Sequence, residues 1–222
     1  MIQTLIDKLD SFEQVRDAIV AILAAETANQ QILATAAAKD PSLWAFSVYA
    51  ERANPWEAYL EAPYQADPIV NVWYESSTAN ASASNSIERQ DMRGVFNIDC
   101  YGYAVSLETA EGHAPGDQAA AFTACRVARL VRNIIQAGQY KHLLARGVVN
   151  ERTITSVSAF QPPQQNSSMQ QILAVRLTLN VRFNEFAPEY EGEPLDYLSI
   201  NVLRAEDGST YFDAEYDYTL GD

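Results

Sequence analysis

Apolar residues return every three or four positions from Phe12 through Val15, Ile19, Ile22 and Leu23 to Ile32 and Leu33, the spacing of one stripe along a helix over 11–38. Ser11 offers an N-cap, and Gln14 three residues later completes a capping-box pattern. The run turns alanine-rich and stops before Asp40-Pro41, because proline disfavours helical geometry at the residue before it. Apolar residues then take up strand patterns. Residues 69–74 (IVNVWY) predict a strand, and 87–107 predict a long one. In the second, Phe96, Ile98, Cys100 and Gly102 alternate with Asn97, Asp99, Tyr101 and Tyr103, the pattern of a half-buried antiparallel strand.

A turn at 111–116 leads into a second helix over 117–137, capped by Asp117 and closed by Gly138 in a left-handed turn. Its stripe runs through Ala121, Ala124, Ala128, Val131 and Ile135, widened by Cys125, Val127 and Ile134, and the small alanines predict close approach to a sheet or another helix. Strands follow at 153–160 and 169–183. In the latter, Leu173, Val175, Leu177, Leu179, Val181 and Phe183 form the core face, opposite Ile172, Ala174, Arg176, Thr178, Asn180 and Arg182. Strand-like runs at 198–203 and 210–213 flank Asp207-Gly208, a strong hairpin signal. Together these elements predict an α+β fold: an antiparallel β-sheet packed against a long central α-helix, with an N-terminal helix and a C-terminal β-hairpin extension.

With 222 residues the chain can bury one substantial core. The expected organisation is one compact domain in three parts: 1–68 packing on the core, an α+β core at 69–186, and an acidic linker and hairpin at 187–222. No internal repeat is visible. Residues 76–86 (SSTANASASNS) read as a flexible loop or mobile arm. Residues 41–68 are dense in rings, including Trp44, Phe46, Tyr49, Trp56, Tyr59 and Tyr64. Either the rings clamp a meander onto the core, or Trp44 and Trp56 anchor a contact with another subunit.

Charge is unevenly spread. Residues 1–116 hold 16 acidic and 6 basic side chains, 117–184 hold 2 acidic and 8 basic, and 185–222 hold 11 acidic and 1 basic. This acidic–basic–acidic order, with a net of -14, argues against a free nucleic-acid-binding domain, which carries a net basic footprint. The bands make complementary surfaces between neighbouring copies, or neutralise each other within one folded unit. Arg126, Arg129 and Arg132, three apart, form a ridge on the second helix, extended by Lys141, His142 and Arg146. That ridge fits a solvated helix face, a salt-bridge face toward an acidic neighbour, or contact with nucleic acid passing through a ring.

No apolar run approaches the roughly 20 residues needed to cross a bilayer, and the first residues lack a secretory pattern, which predicts synthesis in a reducing compartment. Cys100 and Cys125 have no CxxC spacing and read as two small buried apolar residues. His113 and His142 read as surface residues without metal-ligand neighbours. There is no nucleophile elbow, Walker loop, GxGxxG, HExxH or EF-hand pattern, so the expectation is a protein without catalytic, cofactor or metal sites. A hydrolase using loop-borne carboxylates is the catalytic alternative.

The order of a helix-led N-terminus, the strand VFNIDCYGYAVSLE, the helix AAFTACRVARLVRNIIQA, the run LAVRLTLNVRFNEFAPEYEG and an aspartate-glycine hairpin resembles the tail terminator and neck proteins of tailed bacteriophages, particularly those with contractile tails. The resemblance covers about residues 85–215 and lies in element order. It implies a virion protein made in the host cytoplasm that forms a ring, typically a hexamer. Such a ring ends tail-tube growth and joins tail to head connector, with tube, sheath and connector proteins as partners, and DNA passes through its lumen without specific binding. Candidate inter-subunit contacts are Arg126, Arg129, Arg132, Trp44, Trp56, Asp207 and Gly208. The alternatives are a head-completion, sheath-associated or baseplate protein, or a non-viral protein-binding adaptor that stays monomeric.

Overall fold

In the computed structural model the described residues are 7–60, 65, 67–86, 88–109, 112–163, 170–187, 197–203 and 210–217. They form a mixed α/β protein with two helices and a five-stranded sheet. The helices are α1 (Ser11–Ala36) and α2 (Gly116–Gln136). The sheet strands are β1 (Ser47–Ala50), β2 (Ile69–Ala79), β3 (Arg89–Val105), β6 (Val149–Phe160) and β7 (Gln170–Phe186), in the order β1-β2-β3-β7-β6. Between β3 and α2 lies a small hairpin of β4 (Leu107–Thr109) and β5 (Gly112–Ala114). By its contacts the chain divides into two compact units, Met1–Ala187 and Pro188–Asp222. In the second, β8 (Tyr197–Leu203) pairs antiparallel with β9 (Thr210–Asp217), while the Asp207-Gly208 turn lies outside the described residues.

The sheet corrects the antiparallel expectation at one edge. β1 runs parallel to β2, from Ser47↔Ile69 to Ala50↔Val72, whereas the other pairings are antiparallel. A parallel neighbour needs a crossover, and residues 51–68 supply it. That segment holds a 3-10 turn at Pro55–Tyr59, and another turn at Pro41–Trp44 precedes β1. Within 41–60 the chain thus forms two turns and a short strand, with the rings of Phe46 and Tyr59 buried.

Both helices pack on one face of the sheet. From α1 come Val15, Ile19, Ile22 and Leu23, from α2 Ala124, Val127, Val131 and Ile135, and from the strands Val70, Val72, Phe96, Ile98 and Cys100. β7 adds Val175, Leu177, Leu179, Val181 and Phe183, the expected core face, with Leu173 only half-buried. On the opposite face a smaller cluster of Tyr59, Ile69, Tyr101, Ile172 and Ala174 covers one end. β3 is therefore buried on both sides from Phe96 to Gly102, not half-buried as its alternation predicts: Tyr59 from the crossover covers Tyr101, Arg176 and Trp73 engage Asp99, and Thr178 and Glu75 engage Asn97.

Several local expectations shift. The cap of α1 is Asp10, whose backbone N–H donates to Glu13 at 3.1 Å, while the buried Ser11 donates its N–H to both Glu185 oxygens at 3.0 and 2.9 Å. The stripe of α1 stops at Leu23, since Ile32 and Leu33 are 69% and 53% exposed. α2 begins after Pro115 rather than on an Asp117 cap, and its stripe runs through Ala120 rather than Ala121. Gly138 adopts no left-handed turn; Ala137 leaves the helix extended and a 3-10 turn, Gly138–Tyr140, follows. Cys125 is exposed rather than buried.

The stretch 76–86 is a structured hairpin. After a bulge between Tyr74 and Ser76, residues Ser76 to Ala79 pair with Val95 to Met92. Asn80 is buried at the tip, its N–H donating to Asp91 O at 2.8 Å, and the Asp91 N–H donates to Asn85 Oδ1 at 2.8 Å. Short polar side chains that hydrogen-bond backbone order a loop whose composition suggests freedom.

Candidate interaction surfaces

The arginine ridge of α2 is split by the packing. Arg129 and Arg132 are exposed and make no ion pair among the described residues, whereas Arg126 is half-buried and its Nε lacks a hydrogen-bond partner. Steps of three on a helix drift by about 60° per step, which turns Arg126 toward the segment after α1 and the other two toward solvent. Asp40 lies within electrostatic reach: hydrogen bonds from Ser42 hold its carboxyl below the usual range, with a smaller contribution from Arg126. One turn before Arg126 on the same row, Phe122 is 67% exposed. The result is an apolar and cationic strip, open to a partner.

Trp44 is half-buried on the rim of a pocket of about 310 Å³ between α1 and α2, lined also by Glu26, Gln30, Phe46, Leu130 and Tyr140. Thr27 Oγ1 donates to Trp44 O at 2.8 Å, which pins the turn to α1. Glu26, only 8% exposed, accepts from Tyr140 Oη at 2.5 Å and Gln139 Nε2 at 3.1 Å through one oxygen, and from Asn29 and Gln30 through the other at 3.1 and 3.4 Å. The hydrogen bond from Tyr140, then that from Asn29, hold its carboxyl below the usual range against the opposing push of burial. With its lone pairs already engaged, this carboxylate is a staple between α1 and the turn after α2, not a free acid or base. Arg152 performs a similar task at the end of α2, donating to Ile135 O at 2.7 Å and Ala137 O at 2.8 Å.

Trp56 sits on the other face of the sheet, half-buried, with its ring centroid 5.8 Å from that of Tyr101. Beside it Arg176 binds both oxygens of buried Asp99, at 2.7 and 2.8 Å, with its guanidinium 4.9 Å from the ring centres of both Trp73 and Phe160. Trp73 Nε1 adds a third donor to Asp99 at 3.1 Å. Farther along, Arg182 grips Asp91 by Nε at 2.9 Å and Nη2 at 2.5 Å, which lowers that carboxyl below its usual range. Sequence reasoning missed both ion pairs. Their signal is present, acids on β3 and arginines on β7 at alternating positions, but it needs the register Asp99↔Arg176 to be read.

The structure thus separates the expected contact residues. Arg126 and Trp44 flank the α1–α2 side, Arg129 and Arg132 point away from it, Trp56 lies across the sheet, and Asp207 and Gly208 lie outside the described residues. His142 is half-buried, its Nδ1–H donating to Val149 O at 2.9 Å, and the His113 side chain is outside the described residues. Burial raises the Tyr59 and Tyr101 hydroxyls and the Cys100 thiol well above their usual ranges, so these groups stay neutral. Among the described residues no cluster of His, Cys, Asp or Glu has metal-binding geometry, and no helix is long and apolar enough to cross a membrane. No protein-family model matches the chain, and no curated protein matches its sequence.

Proposed function

We propose that this protein is a non-enzymatic structural subunit that assembles into a ring at the neck of a phage tail, ending tube growth and joining the tail to the head connector. The observation that carries the reading is the exposed arginine pair on α2, without an ion-pair partner among the described residues, in a chain whose segment beyond 187 holds ten acidic residues and one arginine. A ring of identical copies repeats one heterologous interface, so each copy must carry two complementary patches. A central helix in such a subunit is supported by α2, whose buried row meets β3 and β7, the inner strands. In a contractile tail the ring also meets the last sheath ring, and DNA crosses the lumen without base contacts. The adaptor alternative is weakened by burial of Phe46 and Tyr59, rings it would need at the surface.

Light scattering after size exclusion, with negative-stain images of the peak, tests the reading. Closed rings of about six copies support it. A monomer at every soluble concentration that also fails to bind purified tail tubes sinks it.

A further inference from the structure

β6 is an edge strand, with β7 on one side and no strand on the other among the described residues. Edges in native proteins are shortened, charged, bulged or covered, because their unpaired N–H and C=O groups recruit other strands. The opposite edge, β1, is protected by its length of four residues. β6 has twelve, with bulges after Val149 and after Ile154. Beyond the second bulge, Ser156 to Phe160 pairs in regular register with Thr178 to Ala174, and that run (SVSAF) has no charge, proline or glycine. Its side chains are exposed from Ser156 to Ala159, and Val157 is 53% exposed. Among the described residues, no charge, proline, bulge or covering strand protects the edge along 156–160.

The second unit has the reverse deficit. β8 and β9, of 7 and 8 residues, form a two-stranded sheet within that unit, and an isolated hairpin is marginal in water. The hairpin's own charge, Asp213, Glu215 and Asp217 on β9 with no basic residue in either strand, sets two hairpins against pairing with each other, while 156–160 carries no charge to oppose it. A third strand would stabilise the hairpin, and an added strand would close the edge.

We propose that the β8–β9 hairpin of one copy adds to the β6 edge of a neighbouring copy along 156–160, extending its sheet across the subunit boundary. Backbone hydrogen bonds supply the affinity, and repulsion between the acidic β9 strands disfavours pairing of one hairpin with another. The inference rests on the ring reading and names the contact that builds the ring.

Hydrogen–deuterium exchange of the full chain tests it, with native mass measured on the same samples. In the assembly, the peptide covering 153–160 is expected to exchange about tenfold more slowly than after dilution to monomer, together with peptides covering 197–203 and 210–217. Val157→Asp, at an exposed side chain, is expected to remove this slowing and reduce the assembled fraction while leaving the melting temperature of the diluted monomer unchanged. An assembly in which 153–160 exchanges as fast as in the monomer overturns the pairing and leaves the ring reading standing. Slow exchange that survives dilution means the hairpin covers its own chain's edge, which also overturns it. A protein that never assembles alone overturns the pairing too, and the ring reading is then decided by tube binding.

Discussion

Ala38 has φ 54°, in the left-handed region where an L-residue with a Cβ pays about 1 kcal/mol relative to glycine. It persists because the end of α1 closes in a Schellman motif, Lys39 N–H donating to Ala34 O at 2.9 Å and Ala38 N–H to Thr35 O at 3.1 Å. Ala38→Gly is expected to raise unfolding stability by about 1 kcal/mol in urea titration; an unchanged midpoint would mean the motif frays. Nothing in an alanine run marks this position, so the cap was invisible before the backbone was known. Glu26 was equally hidden, because two of its four donors, Gln139 and Tyr140, come from a turn more than a hundred residues away. Its folded acidity lies below the unfolded value, so its stabilisation is complete above the usual carboxylate range, about 4, and is lost as pH falls through the folded value. Glu26→Gln is expected to cost about 1–2 kcal/mol at neutral pH, with the gap to wild type closing in acid. A gap that stays constant from neutral to acid pH would rule out the carboxylate as its source.

Helix and strand meet most closely at Gly102. A Cβ there would lie 2.2 Å from Ala120 O and 2.6 Å from Ala124 N, so α2 rests directly on the backbone of β3. Gly102→Ala must push a helix away from a strand, not merely displace a side chain, and is expected to destabilise by about 3 kcal/mol or more. The midpoint of thermal or urea unfolding checks this, and a cost below about 1 kcal/mol would mean the contact relaxes freely. This contact was partly legible: the alanine row on the helix predicts close approach, but only the register pairs it with Gly102. For α1 the periodicity overreached. Ile32 and Leu33 keep the helical spacing yet face solvent, because β1, β2 and α2 give the helix a floor only through its first half and around Ala34.

At the scale of the whole molecule, the proposal turns on charge. Replacing Arg129 and Arg132 by Glu reverses two exposed side chains and is expected to shift the native mass from ring toward monomer at physiological salt, with the melting temperature retained. Adding Arg126→Glu is expected to weaken assembly further and also to lower stability, since a carboxylate would replace the cation that faces Asp40. If the triple variant assembles as wild type does, the charge match is not what joins the copies. The sheet's outer face sets a limit on where partners fit: its ion pairs, Arg176–Asp99 and Arg182–Asp91, are already satisfied within the chain, so they offer an incoming acid little.

The sequence by itself determined the two helices and the main runs of β2, β3, β6, β7, β8 and β9, because period and composition are local, whereas β1, the β4–β5 hairpin and the 76–79 end of β2 carried no such signal. It also determined the core face of β7, the smallness of the α2 stripe and the banding of charge. Tertiary structure decided what those local signals cannot carry: the parallel pairing of β1, the burial of both faces of β3, the order in 76–86 and the partners of Asp91, Asp99 and Glu26. Each depends on two stretches distant in the chain meeting at one register, and burial and hydrogen bonding are properties of that meeting rather than of either stretch alone.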